Sequence, residues 1–269
     1  SINLKNHLIS FRYIMQLNLD KDIEKILIKK GYLLANNYIL SKLTGGVSSN
    51  IFKIVSKNKT YCLKIPKHKL EVNQEWYAPL IRNSYEHQWY SAVSNIKKNI
   101  TPKVYYFNNN PYFFIMEYLN NKNITLWKDD IFKFKIDNNF TKNVAINLAQ
   151  IHSSTYGNSN MKSQFNTIKI FEELRIDPYI RSTSAIHDDV RNELLIIAKN
   201  LYKSEISLVH GDISPKNILN NSSNPIFLDA ECAWFGDPAF DVAFCLSHII
   251  LKSFYLKKIK DNLILNFNI

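Results

Sequence analysis

Val209-His210-Gly211-Asp212-Ile213-Ser214-Pro215-Lys216-Asn217, followed twelve residues later by Asp229, decides how the rest of this chain is read. Side chains of this kind, in this order, are what metal-assisted phosphoryl transfer asks of a protein. Its loose transition state leaves little covalent work, so one carboxylate orients the attacking hydroxyl while an amide and a second carboxylate hold Mg²⁺ on the phosphates. Asp212 fits the first role; Asn217 and Asp229 fit the second. Leu208-Val209 leads in as a short apolar run, Gly211 permits a tight backbone and Pro215 stiffens the loop. Ile226-Phe227-Leu228 then reads as a buried strand delivering Asp229 at its end. Two short strands with a polar loop between them would bring the three groups together.

Upstream, Asp20 caps a helix running to Lys30, with Ile23, Ile26 and Leu27 on one face and Gly31 as its stop. Strands follow over 38–43, 51–55 and 60–65, an antiparallel meander. Gly45-Gly46 sits in the first hairpin, and Gly46, Ser48, Ser49 and Asn50 are candidates to close over triphosphate oxygens. Lys64, on the third strand, lies where a kinase carries the lysine that holds the α- and β-phosphates. A lysine inside an apolar strand needs a carboxylate. Glu86, on a helix over 83–93 with Tyr85, Trp89 and Val93 at helical spacing, and Glu75 are both candidates. Two more strands, 103–107 and 112–116, run through the turn Asn108-Asn109-Asn110-Pro111. Beyond them the pattern turns helical, over 143–152 and over 189–201 with Val190, Leu194, Ile197 and Leu201 in phase. His152 ends the first of these helices, as a cap or a packed ring.

With His210-Gly211-Asp212-Ile213-Ser214-Pro215-Lys216-Asn217, Leu228-Asp229-Ala230-Glu231 and Gly236-Asp237-Pro238-Ala239-Phe240-Asp241, the chain resembles the aminoglycoside phosphotransferase and choline kinase-like family, from about Leu43 to Leu251. The resemblance implies an α+β, bilobal protein-kinase-like fold: a small antiparallel sheet plus helix over 1–119, ending in a hinge, and a mainly helical lobe over 120–269 that binds the acceptor. It implies ATP and Mg²⁺ as cofactors and a small hydroxyl-bearing substrate. Glu117 and Leu119 resemble the hinge residues whose backbone meets the adenine edge. Asp241 resembles the buried aspartate that bonds the catalytic-loop backbone, with His210 structural beside it, and Glu86 is favoured as the partner of Lys64. The stretch Phe171–Arg181, unlike a plain helix because Pro178 interrupts it, corresponds to a wall of the acceptor pocket and makes Arg175, Asp177, Tyr179 and Arg181 acceptor candidates. Glu231 either assists the metal or pairs with Lys216. Lys216 itself stands where a glycine is common, and the chain stops early, so a truncated C-terminus is expected.

Twelve residues between Asp229 and Asp241 leave no room for a peptide-docking activation segment, which argues against a protein kinase. A non-catalytic nucleotide- or partner-binding remnant is the other rival. The formal net charge of +11 over 269 residues comes from lysines scattered through every segment, so no nucleic-acid partner is expected. Cys62, Cys232 and Cys245 lack paired spacing and suit a reducing, cytoplasmic setting. No apolar run reaches the ~20 residues of a membrane span, and no signal peptide is expected. Met15, directly before the first capped helix, is the expected true start.

Overall fold

A computed structural model of the chain describes residues 19–43, 46–72, 75–120 and 122–256. Helix α1 (Lys21–Lys29) is capped by Asp20, whose carboxylate accepts the N–H groups of Asp22 and Ile23. This satisfies donors that a helix start leaves open. Strands β1 (Ile39–Lys42), β2 (Ser49–Ser56) and β3 (Lys59–Pro66) form the expected meander. After helix α2 (Arg82–Ile96), β4 (Val104–Asn109) and β5 (Tyr112–Glu117) complete an antiparallel sheet of order β1-β2-β3-β5-β4.

Alternation along β3 separates two cores. Tyr61, Leu63 and Ile65 pack with Ile23 and Leu27 of α1, whereas Cys62 joins Trp89, Tyr90 and Val93 of α2 in the central core. Lys64 shares the face of Cys62 and so looks toward α2. The same alternation corrects one expectation. Asn50 pairs with Ile65 and lines the α1 side with Leu19, Asp20 and Phe52, so its side chain lies on the sheet face opposite Lys64.

Strand β6 (Ile124–Leu126) leads into α3 (Trp127–Phe132) and α4 (Asn138–Thr155), the latter capped by Asp137 and buried through Val144, Leu148 and Ile151. Next come α5 (Ser159–Gln164) and α6 (Ile168–Phe171). The stretch around Pro178 is, as expected, unlike a plain helix, but the proline does not interrupt it. A π-helical stretch, Glu172–Arg181, carries the chain from α6 into α7 (Ser182–Ile186) without interruption. The wider i→i+5 register makes room for a residue without an N–H inside a helix.

Helix α8 (Arg191–Lys203) buries Ala198 and Leu201, but Val190 and Ile197, expected to pack, are exposed. β7 (Ser207–Val209) pairs with β10 (Trp234–Gly236). β8 (Ile218–Asn221) and β9 (Asn224–Phe227) form a hairpin with β6 alongside. The strands flanking the polar loop are therefore partnered elsewhere and not with each other. The last described helix, α9 (Ala239–Leu256), buries Asp241, Phe244, Cys245 and Ile249. By length and composition alone it could cross a bilayer, a point the sequence reading does not register. The Met15 expectation lies outside the described residues.

Candidate active site

The two halves meet at Lys64. Its ammonium straddles the Glu86 carboxylate, 2.8 Å from Oε1 and 2.6 Å from Oε2, and also contacts Asp229 Oδ1. Lys64 and Glu86 are buried, whereas Asp229 keeps 29% of its side chain exposed. Tyr90 stitches the group together: its hydroxyl donates to Glu86 Oε1 and accepts the Asp229 N–H, each at 2.8 Å. Burial opposes the charge on Lys64, but Asp229 and then Glu86 outweigh it and hold the ammonium protonated well above its usual range. Burial likewise opposes charge on Asp229, and Lys64 with Lys216 overcomes it, keeping that carboxyl far below the ordinary value. Glu86 carries the opposite balance; burial pushes it up to about 7 despite Lys64. Glu75, the other candidate, pairs with exposed Lys69 at 3.0 Å.

The loop after β7 is held from beneath by Asp241, whose carboxylate accepts the N–H groups of His210 and Gly211 at 2.9 Å and meets His152 Nε2 at 3.0 Å. His210 Nδ1 accepts the Asp212 N–H, so Nε2 is the protonated nitrogen and donates to Leu228 O. Burial lowers its pKa, consistent with that neutral tautomer. Gly211 has φ +78, and a Cβ there would lie 2.4 Å from Cys232 O, so glycine is required twice over. Asp229 itself sits at φ +67, a left-handed conformation unusual for a non-glycine residue.

Asp212 has two unlike oxygens. Oδ2 accepts from Asn217 Nδ2 at 2.7 Å and meets Arg175 Nη2 at 2.9 Å and Lys216 Nζ at 3.2 Å. Oδ1 is buried and has no hydrogen-bond partner among the described residues. A buried acceptor left open is costly unless something donates to it. The Asn217 amide nitrogen is committed to Asp212, through both its carboxylate and its carbonyl, which leaves Oδ1 of Asn217 as the atom to bind a cation. That oxygen and the Asp229 carboxylate are hard donors of the sort Mg²⁺ takes, one or two from protein and the rest from phosphates and water. Among the described residues, no three His, Cys, Asp or Glu side chains form a metal cage, and this mode of binding needs none.

The β1–β2 loop approaches the same cleft. A Cβ on Gly46 would fall 2.2 Å from Ser49 O, so the turn closes only around glycine. Ser49 is buried on the Lys64 face, and the Gly46 carbonyl accepts from Lys67 Nζ. Gly45 lies outside the described residues. Arg82, which the sequence reading passes over, is fully buried here. Its guanidinium donates to the carbonyls of Ser48, Lys67, Ala78 and Pro79 and to Glu231 Oε2 at 3.0 Å. Glu231 thus pairs with Arg82, and Lys216, one of the two alternatives for Glu231, lies on Asp212. At the hinge, the Glu117 N–H donates to Lys103 O, after which the chain leaves the sheet through Tyr118 and Leu119. A cavity of about 570 Å³ beside Glu117 and Leu119, lined by His87, Ser94 and Lys98, contains none of Lys64, Asp212 or Asp229.

Of the four acceptor candidates, the structure brings Arg175 to Asp212. Arg175 is buried, donates to Gly211 O and Leu174 O, and lies 5.9 Å from the Tyr179 ring and 5.5 Å from that of Phe244. Tyr179 stands half-exposed at the edge of Phe244. Asp177 and Arg181 pair with one another on the outer surface, joined by Glu172. Tyr90 and Arg82 escaped the sequence reading because a tyrosine at helical spacing and an arginine at a helix start look like ordinary packing and solvated charge. Arg175 left a trace, as a cation between Leu174 and Ile176.

A family model described as phosphotransferase enzyme family matches residues 39–257. A search of curated proteins gives no match. Among solved structures, the choline kinase LicA from Streptococcus pneumoniae is 18% identical, with a TM-score of 0.54 over 91% of this chain and 79% of LicA. APH(2")-IIa in its ternary complex with streptomycin and ATP is 20% identical, with a TM-score of 0.52 over 92% of this chain and 86% of that one. At such identities the likeness shows the fold, the α+β bilobal architecture of protein kinases.

Proposed function

The chain belongs to the phosphotransferase enzyme family, and we propose that it is an ATP- and Mg²⁺-dependent kinase that moves the γ-phosphoryl group of ATP to a hydroxyl of a small molecule. The observation that carries this reading is the contact of Lys64 with both Glu86 and Asp229, beside an Asp212 whose Oδ1 is buried and open. In this reading the boundary between the nucleotide lobe and the catalytic and acceptor lobe falls between residues 119 and 120. Three buried free thiols support a reducing, cytoplasmic setting.

In this reading the acceptor hydroxyl donates its hydrogen bond to Asp212 Oδ1, the one oxygen of that carboxylate without a donor. Asn217, Arg175 and Lys216 fix the other oxygen and so aim the first. As the acceptor oxygen bonds to the γ-phosphorus and the bond to the β-phosphate oxygen breaks, Asp212 takes the hydroxyl proton and ADP leaves. Lys64, positioned by Glu86, holds the α- and β-phosphates, and N–H groups around Gly46, Ser48 and Ser49 cover them. Glu117 and Leu119 offer backbone groups to the adenine edge. Bound through Asn217 and Asp229, Mg²⁺ would neutralise charge developing on the phosphates.

A screen of γ-labelled ATP against hydroxyl compounds tests the proposal, with Asp212→Ala as blank. Transfer should disappear in Asp212→Ala, a loss of at least ~100-fold, while nucleotide-induced thermal stabilisation persists. Full transfer by that variant would remove Asp212 from the mechanism. Stabilisation by ATP without transfer to any acceptor would favour a non-catalytic nucleotide binder.

A further inference from the structure

Oδ2 of Asp212 has more donors than it needs. A carboxylate oxygen offers two lone pairs, and Asn217 Nδ2 at 2.7 Å and Arg175 Nη2 at 2.9 Å are enough to fill them. Lys216 Nζ comes third, at 3.2 Å. The first two donors belong to buried side chains, whereas 48% of the Lys216 side chain is exposed. Its contact is therefore surplus to fixing the carboxylate, and it is made by the one donor of the three that stands half in water.

The backbone beneath it is pinned. Lys216 is the middle residue of the turn Pro215–Asn217, where the Asn217 N–H donates to Ser214 O and the Asn217 carbonyl accepts the Leu228 N–H, each at 2.8 Å, and α3 and α9 pack on the same turn. The side chain thus starts one residue from the amide assigned to Mg²⁺ and ends on the carboxylate assigned to the acceptor hydroxyl. Partial burial opposes its charge, but Asp212 and then Asp229 outweigh it and hold the ammonium protonated above its usual range. The other cations around the cleft are committed. Arg175 uses Nε on Gly211 O, Nη1 on Leu174 O and Nη2 on Asp212, and Lys64 lies between Glu86 and Asp229. Lys67 spans Gly46 O and Glu71, and Arg82 is spent on four carbonyls and Glu231. Lys216 carries three N–H donors and has one acceptor, Asp212, among the described residues.

An acceptor oxygen on Oδ1 of Asp212 would stand about 3–3.5 Å from the γ-phosphorus it attacks. That brings the equatorial oxygens of the phosphoryl group within reach of a flexible ammonium already seated on the same carboxylate. Resting on the phosphotransferase reading above, we propose that Lys216 is a catalytic residue: it keeps one N–H on Asp212 Oδ2, turns the others to the γ-phosphoryl group, and stabilises the charge spread over the equatorial oxygens as that group passes to the acceptor. Lys216 gives up no proton, and Asp212 still takes the one from the hydroxyl. The glycine common at this position in the family offers no such group.

Calorimetric titration at saturating Mg²⁺ tests the inference without requiring turnover. The probes are AMP-PNP, which keeps a γ-phosphoryl group, and ADP, which lacks one. Lys216→Met should lower AMP-PNP affinity at least about tenfold with ADP affinity unchanged, and Lys216→Arg should keep most of the AMP-PNP affinity. The loss should persist in an Asp212→Asn background, where no carboxylate charge is left to repel the phosphoryl group. An equal loss for both nucleotides would reduce Lys216 to a structural ion pair. No loss would hand its open donors to the acceptor, and a loss that vanishes with Asp212→Asn would make it a screen for Asp212; each of the three would overturn the proposal. Native protein that binds neither nucleotide would sink the phosphotransferase reading along with it. Selective loss of AMP-PNP in a protein that transfers phosphate to no alcohol would instead sink the catalytic reading and leave the γ-phosphoryl contact standing.

Discussion

Two groups in this molecule are built from one cation and two carboxylates, and they behave as opposites. Lys64 with Glu86 and Asp229 joins β3, α2 and the loop after β9, across separations of 22 and 165 residues, with Lys64 and Glu86 out of water and Asp229 partly exposed. Arg181 with Glu172 and Asp177 joins neighbours on a single helical run and remains substantially exposed. The exposed group is cheap to form and stabilises little, because water competes for every charge. The buried one costs heavy desolvation and repays it only with close geometry and extra hydrogen bonds, such as those from Tyr90. An arrangement that expensive has a use beyond stability, whereas the exposed group needs none.

Breaking the contrast at its strongest point is the first test. Lys64→Met should destabilise the fold by about 3–5 kcal/mol, since two carboxylates lose their cation, and should cut phosphoryl transfer at least ~100-fold. Denaturant melts and single-turnover assays read the two effects separately. A more selective cut is Glu86→Gln. Glu86 rises from its ordinary 4.5 to about 7 in the fold, so the folded chain holds a proton that the unfolded chain has released. That contribution to stability is complete below about 4.5 and is lost as pH rises through 7. Glu86→Gln, which cannot ionise, should remove this falling component, so that the Tm difference between variant and native protein moves in the variant's favour as pH rises from about 4.5 through 7. Tyr90→Phe removes one hydroxyl serving both carboxylate residues and should cost about 1–2 kcal/mol, with a rise in KM for ATP measurable by steady-state kinetics. Arg181→Ala closes the series. It should shift stability by no more than ~0.5 kcal/mol and leave kinetics unchanged; a larger change would mean that the exposed group belongs to the site after all.

The same contrast governs what the sequence discloses. The sheet is legible because β1 to β5 are rich in β-branched and aromatic residues and are parted by turns with glycine or asparagine, and Lys64 stands out as a cation inside the apolar run Cys62-Leu63-Lys64-Ile65. Asp212, Asn217 and Asp229 are legible through spacing. Glu86 could be named only with Glu75 still open, because sequence does not tell which carboxylate faces a strand from across a core. Pairings around the polar loop were hidden, since β7 and β10 are three-residue strands whose partner is set by tertiary packing. Pro178 signals the departure from a plain helix but not its form: the rule that proline breaks a helix assumes an i→i+4 register, and the π-helical stretch here runs in another. Arg82 carries no local signal of burial that sets it apart from the other basic residues, whereas Arg175, flanked by Leu174 and Ile176, does.

Arg82 has a mechanical consequence. Its guanidinium is anchored to carbonyls at Ser48, Lys67, Ala78 and Pro79, all ahead of α2 or at its threshold, and reaches across to Glu231 by a single ion pair. Parting the sheet from the segment behind Asp229 would load this ion pair together with the Lys64–Asp229 and Tyr90–Asp229 contacts. Arg82 therefore bolts the loops ahead of α2 to the start of that helix as one unit and fastens the unit to the segment behind Asp229 at a single point.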